Sequence, residues 1–321
     1  MKNRFNRFSC CLLLAACFFH SSCQKEITVD LPDSKEKICV EGKIEPELPP
    51  YVILTKNMPY FGQTDANTLQ NIFLHNAIVI ISNGTISDTL QEYCSQSLPD
   101  SLLPIVATFT GVDTASLQLF NYCIYTTFNI SLWGSIGKTY NLTVDYNGKH
   151  LTSSTTILNP VPLDSTWSKY YKTSDEGDSL GFVFAHLTEP ASEGNAYRWL
   201  AMRKGKDFSF QAPFGAVFDD KFVNNQSFDF AYNRPIPANQ PIPQDELDEV
   251  GYYKAGDTVI VKFCIIDRAV FDFYRQMDVA ISSQGNPFAA PTSVPSNVYP
   301  REEALGVWCG YGVFIDTVIF K

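Results

Sequence analysis

The stretch "KTYNLTVDYNGKHLTSSTTI" at residues 138–157 decides the fold class. Every second residue from Tyr140 to Tyr146 is apolar or aromatic, as in a β-strand that has one face on a core. Asn147–Gly148 follows, and these two residue types readily adopt the positive φ angles that a tight hairpin turn requires. We therefore predict an antiparallel hairpin here and a second hairpin around Asn83–Gly84.

Strand-like runs recur at short intervals on the N-terminal side of this hairpin. They are rich in Val, Ile, Thr and aromatic residues, which strands favour. These runs lie at 37–44, 51–57, 76–82, 87–93 and 116–130. Residues 94–115, which contain two prolines and a glycine, are predicted to be a loop or insertion. The pattern predicts an N-terminal β-sandwich of immunoglobulin or transthyretin type over residues 37–158.

A second β-rich domain is predicted at residues 159–321, because the proline-containing "LNPVPLDST" interrupts the strand pattern at 158–166. Its strand-like runs lie at 179–187, 196–204, 257–266 and 305–320. One main helix is predicted at 268–282, since Asp267 is a good N-cap and apolar residues recur at helical spacing. We expect Tyr274 on the buried side of this helix and Phe271 facing outward as an interface anchor.

The first 23 residues have the pattern of a lipoprotein signal peptide. A basic start precedes an apolar run that is shorter than the roughly 20 residues needed to span a bilayer. The run leads to "HSSC", so we expect Cys23 to be the acylated first residue of the mature chain, followed by a polar tether at 24–36. "LAAC", which ends at Cys17, is the competing cleavage site, but it would leave Phe18 and Phe19 near the mature N-terminus.

The net charge limits the possible partners, and the cysteine spacing limits the possible kinds of site. The formal net charge of −10 disfavours nucleic acid or an anionic membrane surface as a partner, so the lipid is the only membrane anchor that we expect. The cysteines after Cys23 are widely spaced and form no C-x-x-C motif, which argues against zinc-ribbon and thioredoxin-type sites. Cys264 and Cys309 could pair across a sheet, and buried free thiols are the alternative.

No catalytic motif is present in the sequence. It contains no HExxH, GxSxG, P-loop or dinucleotide-binding turn, and its histidines are scattered. The acidic Asp175–Asp178 lacks EF-hand spacing and is interpreted as a solvated turn. We therefore predict a protein that is not an enzyme and has no metal ion or cofactor.

The aromatic stretch at 208–232 is the main candidate for binding a partner or ligand. Phe214, Phe218 and Phe222 recur every four residues, whereas aromatic residues elsewhere in the stretch alternate, so they cannot all face one core. The alternative is a satellite core packed under the proline-rich arm at 234–243.

Asp followed by Ser or Thr and then an apolar residue or Thr recurs along the chain. This triplet is similar to the O-glycosylation signal of Bacteroidetes export systems. Thr114 and Ser179 are the positions at which we predict modification. The alternative is that such triplets simply begin strands.

Several blocks of sequence carry a resemblance to a known family. "SCQKEITVDLP", "ICVEGKI", "NAIVIIS", "FDFYRQM" and "ALGVWCGYGVF" occur in that order. In these blocks the chain resembles the Bacteroidetes lipoproteins catalogued as domain of unknown function 4249. It departs from the family at Glu189–Pro190, where Asp-Pro is usual, and at Asn224–Asn225, where Asn-Gly or Asp-Gly is common.

The resemblance implies an outer-membrane lipoprotein encoded beside a TonB-dependent receptor. We predict a non-enzymatic accessory or binding subunit of a β-barrel complex, either a TonB-dependent transporter or outer-membrane assembly machinery, facing the cell surface. A fimbrial or adhesive surface subunit is the alternative, and a surface hydrolase is a third possibility. The fimbrial alternative usually requires a basic protease site shortly after the lipid, and residues 24–60 contain no arginine.

Overall fold

The computed structural model describes residues 35–57, 71–236, 242, 244–283 and 293–321. Cys17, Cys23, and most of the predicted tether and proline-rich arm lie outside these residues. The protein is mainly β, as predicted, and has a sandwich-like arrangement of sheets. Within the described ranges, no helix combines the length and apolar character needed to cross a membrane.

The bounds of the elements are as follows. The strands are β1 (Ile38–Ile44), β2 (Tyr51–Lys56), β3 (Ile78–Ser82), β4 (Ser87–Cys94), β5 (Cys123–Thr126), β6 (Thr139–Tyr146), β7 (Lys149–Thr156), β8 (Ser165–Thr173), β9 (Ser179–Thr188), β10 (Ala196–Arg203), β11 (Val217–Asp219), β12 (Ser227–Tyr232), β13 (Tyr253–Lys254), β14 (Thr258–Ile266), β15 (Val298–Tyr299), β16 (Ala304–Gly310) and β17 (Gly312–Ile319). The helices are α1 (Leu103–Thr110), α2 (Thr114–Leu119) and α3 (Arg268–Ser282).

Both predicted hairpins form. Asn147 and Gly148 have φ angles of 48° and 78° between β6 and β7, as the two-residue turn requires. At the other hairpin the turn lies one residue further along, because the Asn83 N–H donates to the Ile86 carbonyl and Gly84 has a φ of 86°. The Asn83 side chain accepts from the N–H groups of Thr85 and Ile86, which fixes this turn.

Nine strands form the largest sheet, in the order β15-β7-β6-β3-β4-β5-β2-β1-β16. The sheet curls so that β16 also lies beside β7 and β15, around one apolar core. Trp308 is fully buried there and its indole N–H donates to the Tyr140 carbonyl over 2.9 Å. Gly42 makes room for this ring, since a Cβ at Gly42 would lie 2.5 Å from an indole carbon.

A parallel pairing joins the two ends of the described chain. β1 pairs with β16 from Ile38 opposite Ala304 to Ile44 opposite Gly310. Residues 36–321 form one compact unit. The boundary at 158–159 stays a prediction. Strands β15 and β16, which follow it in the sequence, belong to the nine-stranded sheet.

Two smaller sheets enclose a second apolar core. One has the order β11-β10-β14-β17, and the other has the order β12-β9-β13 with β8 also paired to β9. Val183, Trp199, Val261 and Phe263 are buried between them. The strands predicted at 179–187, 196–204 and 257–266 are thus confirmed to within a residue or two.

Helix α3 begins and ends as predicted, and the Asp267 carboxylate caps it by accepting from the Val270 N–H over 3.0 Å. The prediction that Phe271 faces outward is wrong, because only 2% of this residue is exposed. The helix packs against β10, β11 and β16 together, so its buried arc is wider than a single apolar stripe. Ile281 lies at the far end and is exposed.

Of the two alternatives for residues 94–115, the structure has an insertion, which is helical and not a loop. The strand predicted at 116–130 is mostly not a strand. Helix α1 has Pro104 in its first turn and ends at Gly111, whose φ of 81° suits glycine. Asp113 then caps α2 by accepting from the Ser116 N–H over 2.9 Å. Only β5 remains as a strand in the predicted run.

Candidate binding cleft between the sheets

Strand β1 carries apolar side chains on one face and charged side chains on the other. Val40 and Ile44 point into the first core and are buried. Glu41 and Lys43 alternate with them and therefore lie on the other face, towards the second sheet region. The sequence places both side chains there because strand residues alternate between the two faces of a sheet.

A cleft of about 940 Å³ opens beside this face. Its walls come from the turn after β1, from helix α1 and from strands β14 and β17. Their lining side chains are mainly apolar and include Leu48, Phe109, Leu200, Phe210 and Val313. A concave, mostly apolar site with a few fixed polar groups is the usual form of a binding site in proteins.

The floor of the cleft holds three charged side chains, Lys43, Glu45 and Lys262. One Glu45 oxygen lies 2.9 Å from the Lys43 ammonium, and the other accepts from the Lys262 ammonium. Glu45 and Lys262 are buried, whereas Lys43 retains 28% of its side-chain exposure. Burial alone would raise the pKa of the Glu45 carboxyl, but the two lysines outweigh burial and hold this pKa below its usual value.

Two cations therefore surround one anion at the floor, which leaves an excess of positive charge among these three residues. Glu41, which also lies near Lys43, is not among the residues that line the cleft. Glu47 also lines the cleft but is exposed, so water screens its charge more effectively. The Lys262 ammonium lies 5.1 Å from the centre of the Phe210 ring, an additional favourable contact for a cation.

A second cluster of polar side chains lies on the same side of β1, under helix α3. The Arg198 guanidinium stacks 3.5 Å from the centre of the Tyr274 ring and donates to the Tyr311 hydroxyl. The Tyr311 hydroxyl donates to that of Tyr274 over 3.1 Å. Burial raises the pKa of Glu41, although Arg198 and Lys43 favour its charged form. Glu41 nevertheless keeps contact with solvent.

The rim of the cleft exposes large aliphatic side chains. Leu48, Ile105, Ile136 and Ile315 all line the opening, and each is more than two-fifths exposed. Single exposed apolar residues are common on proteins, but four around one opening form an apolar patch. This arrangement can bind an apolar segment while the floor holds a negative charge.

The aromatic side chains of the stretch at 208–232 lie in different surroundings, some buried and some exposed. Phe218 packs into the second core, 5.4 Å from Phe230 between ring centres. Phe214 and Phe222 are exposed and lie outside the residues that line the cleft, whereas Phe210 lines it. The stretch is thus neither a continuous platform nor entirely a satellite core.

The other predicted positions have clear surroundings. Thr114 is exposed in the first turn of α2, and Ser179 is partly buried at the start of β9. Cys264 and Cys309 are buried free thiols. Asp178 in the acidic turn pairs with Lys254 over 2.5 Å. Modification of Thr114 and Ser179 stays a prediction.

The positions that depart from the family pattern keep structural roles. Glu189 is buried and accepts hydrogen bonds from Asn195 and Tyr197. Asn225 has a φ of 57°, a left-handed conformation that asparagine tolerates better than most residues.

Sequence reasoning missed the charged residues of the cleft. Lys262 is the one residue that the sequence marks as unusual, since it is a single charge within the otherwise apolar "VIVKFCII" at 259–266. Its partner Glu45 is 217 residues away in the chain, so local patterns cannot join the two. The Cys94–Cys123 disulfide was missed for a similar reason, because it joins strands on either side of the helical insertion.

By its fold and cleft, the chain is a mainly β protein whose sheets form one unit, with a charged cleft that has an apolar rim. Comparison with models of known protein families identifies the family. The model described as "Domain of unknown function (DUF4249)" matches residues 24–314, so the chain belongs to that family.

No curated protein matches the chain. A solved structure described as "Cytokine receptor complex - Crystal form 1A" aligns at 12% identity over 72% of this chain and 85% of that chain. Its TM-score is 0.21, and a likeness at that score carries no argument about fold or function.

Proposed function

We propose that this chain is a non-enzymatic binding subunit of an outer-membrane β-barrel complex, anchored by lipid on Cys23 and facing the cell surface. The partner is a TonB-dependent transporter or the outer-membrane assembly machinery. In this proposal the cleft receives a segment of the partner that combines aliphatic side chains with one carboxylate. The observation that carries the proposal is the apolar rim above a floor with excess positive charge.

The physical reason is the cost of buried charge. A buried ammonium without a compensating anion is unfavourable, and the single Glu45 carboxylate pairs with two lysines at once. A carboxylate that approached the partly exposed Lys43 would compensate the second cation. Aliphatic side chains beside it would cover Ile105 and Ile315 and remove apolar surface from water.

The test is affinity capture from solubilised outer membranes. We expect the wild-type protein and the Phe222→Ala control to recover a β-barrel protein, since Phe222 is exposed outside the cleft lining. Ile105→Asp and Lys43→Glu should abolish that recovery while leaving the fold intact. Recovery of no barrel protein by the wild type would overturn the proposal. Loss with Phe222→Ala alone would move the interface to the aromatic stretch.

The anchoring part of the proposal has its own test. Cys23→Ser should release the protein from the membrane fraction, whereas Cys17→Ser should leave it bound. The opposite pattern would place the mature N-terminus at Cys17. Protease treatment of intact cells should degrade the protein if it faces the cell surface.

A further inference from the structure

Three segments bring four possible metal ligands together at the base of the helical insertion. His75 follows Phe73, which forms an isolated bridge with Thr55. Glu92 and Cys94 lie on β4, and Cys123 lies opposite Cys94 on β5. One donor atom from each of these four residues lies within 4.8 Å of all the others.

Glu92 occupies the centre of this group. Its Oε1 atom lies 2.5 Å from the His75 Nδ1 atom and 3.5 Å from the Cys94 sulfur. Its Oε2 atom accepts from the Asn76 N–H over 3.0 Å. The imidazole and the carboxylate are therefore fixed beside the sulfur atoms before any ion arrives.

Cys94 and Cys123 form a disulfide in this structure. Two sulfur atoms bonded to each other cannot serve as separate thiolate ligands, because they are too close to occupy two corners of a tetrahedron. Reduction would release two thiols beside the imidazole and the carboxylate. One nitrogen, one oxygen and two sulfur donors make a set that suits Zn²⁺.

We propose that His75, Glu92, Cys94 and Cys123 bind one Zn²⁺ ion when the cysteines are reduced, so that the disulfide and the ion exclude each other. The ion would bind between the His75 Nδ1 atom and the Glu92 Oε1 atom, which lie 2.5 Å apart in the oxidised protein. Cys123 is buried while His75 and Glu92 remain partly exposed, so the group is open on one side for ion entry. This proposal does not depend on the function proposed for the cleft.

The chemistry requires a reductant, for which we specify a water-soluble trialkylphosphine. The phosphine supplies two electrons, the S–S bond breaks, and the phosphine becomes its oxide with oxygen from water. The two protons of that water molecule pass to the two sulfur atoms as thiols. Zn²⁺ then displaces the two thiol protons as it binds.

The experiment compares the oxidised and reduced full-length protein, after anaerobic removal of the phosphine. Zn²⁺ binding is measured by competition with a chromophoric chelator, and Co²⁺ is used as a spectroscopic substitute. We expect the reduced protein to bind one equivalent of Zn²⁺ and to give a thiolate-to-cobalt charge-transfer band. The oxidised protein should show neither.

Variants separate this site from the other thiols. His75→Ala should weaken Zn²⁺ binding by at least about tenfold after reduction, since even residues that only orient zinc ligands contribute 10- to 100-fold. Cys39→Ser is the matched control and should bind as the wild type does, because Cys39 lies outside the ligand group.

Three results would overturn the proposal. They are the absence of Zn²⁺ binding by the reduced protein, equal binding by His75→Ala, and a reduced protein that loses its near-ultraviolet dichroism and does not regain it with Zn²⁺.

Discussion

The two faces of strand β1 share one backbone but have opposite surroundings. Val40 and Ile44 pack into an apolar core beside Trp308. Glu41 and Lys43 lie on the opposite face, where Glu41 is near Arg198 and Lys43 pairs with Glu45. Glu45 also pairs with Lys262 from a distant strand. Buried ion pairs add little net stability compared with apolar packing. A face that keeps charges therefore gives up stability, which is consistent with a surface used for binding.

The largest expected effect is on the core face. Trp308→Ala should lower the free energy of unfolding by about 3–5 kcal/mol, because it leaves a cavity and removes the indole hydrogen bond to the Tyr140 carbonyl. Chemical denaturation measures the loss. Phe222→Ala is the control, since this residue is 81% exposed and should change stability by less than about 0.5 kcal/mol. A similar loss in both variants would contradict the comparison.

The next effect concerns the helix that covers the charged side. Phe271→Ala should cost about 3 kcal/mol, because the ring is buried against the sheets and lies beside the Arg268 guanidinium, 4.6 Å from the ring centre. Denaturant unfolding of the variant gives the value. Ile281→Ala at the exposed end of the helix is the control and should cost much less. A negligible loss at Phe271 would restore the outward-facing interpretation.

A smaller loss is expected on the charged face itself. Glu45→Gln should destabilise the protein by roughly 2–3 kcal/mol, because two lysines then lose a charged hydrogen-bond acceptor. Lys262→Met should cost less, since Glu45 keeps Lys43 as a partner. The order of the two midpoints of urea unfolding is the measurement. If Lys262→Met costs more, the excess positive charge at the floor has been assigned wrongly.

The smallest effect is a difference in pH dependence between two glutamates near the same strand. Because the pKa of Glu45 is lowered, the stability that Glu45 contributes is present above its unfolded-state pKa. This stability is lost as pH falls through the folded-state pKa. The raised pKa of Glu41 has the opposite effect on stability. The stability that Glu41 contributes is lost as pH rises through the folded-state pKa. Solvent contact keeps the Glu41 effect small.

Glu41→Gln should therefore slightly stabilise the protein at neutral pH, and Glu45→Gln should destabilise it there. At a pH below the ordinary glutamate range the two variants should converge towards the wild type. Unfolding free energies measured at both pH values check this expectation. Destabilisation by Glu41→Gln at neutral pH would show that Arg198 holds Glu41 more strongly than burial opposes it.

Local signals predicted the local elements well. The Asn147–Gly148 turn and the Asp267 cap each depend on neighbouring residues alone, and both occur as expected. Helix α1 was missed because its apolar "LPIVATF" contains β-branched residues and no polar face. The direction of Phe271 was missed because helical periodicity shows one buried stripe, whereas several strands cover this helix.

The cleft could not be predicted from local patterns, because it depends on which distant strands pair. Glu45 meets Lys262 only when the sheets are assembled. Periodicity places Lys43 on one face of β1 but does not say what covers that face. The parallel partner of β1 lies at the other end of the chain, and no turn signal specifies such a pairing.

That parallel pairing also affects the order in which the sheet can form. Ile38 pairs with Ala304, so β1 meets β16 only after the long stretch of chain between them has been made. Until residues 304–310 arrive, one edge of β1 presents unpaired backbone groups, and such edges can pair with other chains. Contacts between such distant residues also form slowly. We therefore expect chains truncated before residue 304 to accumulate as aggregates or degradation products.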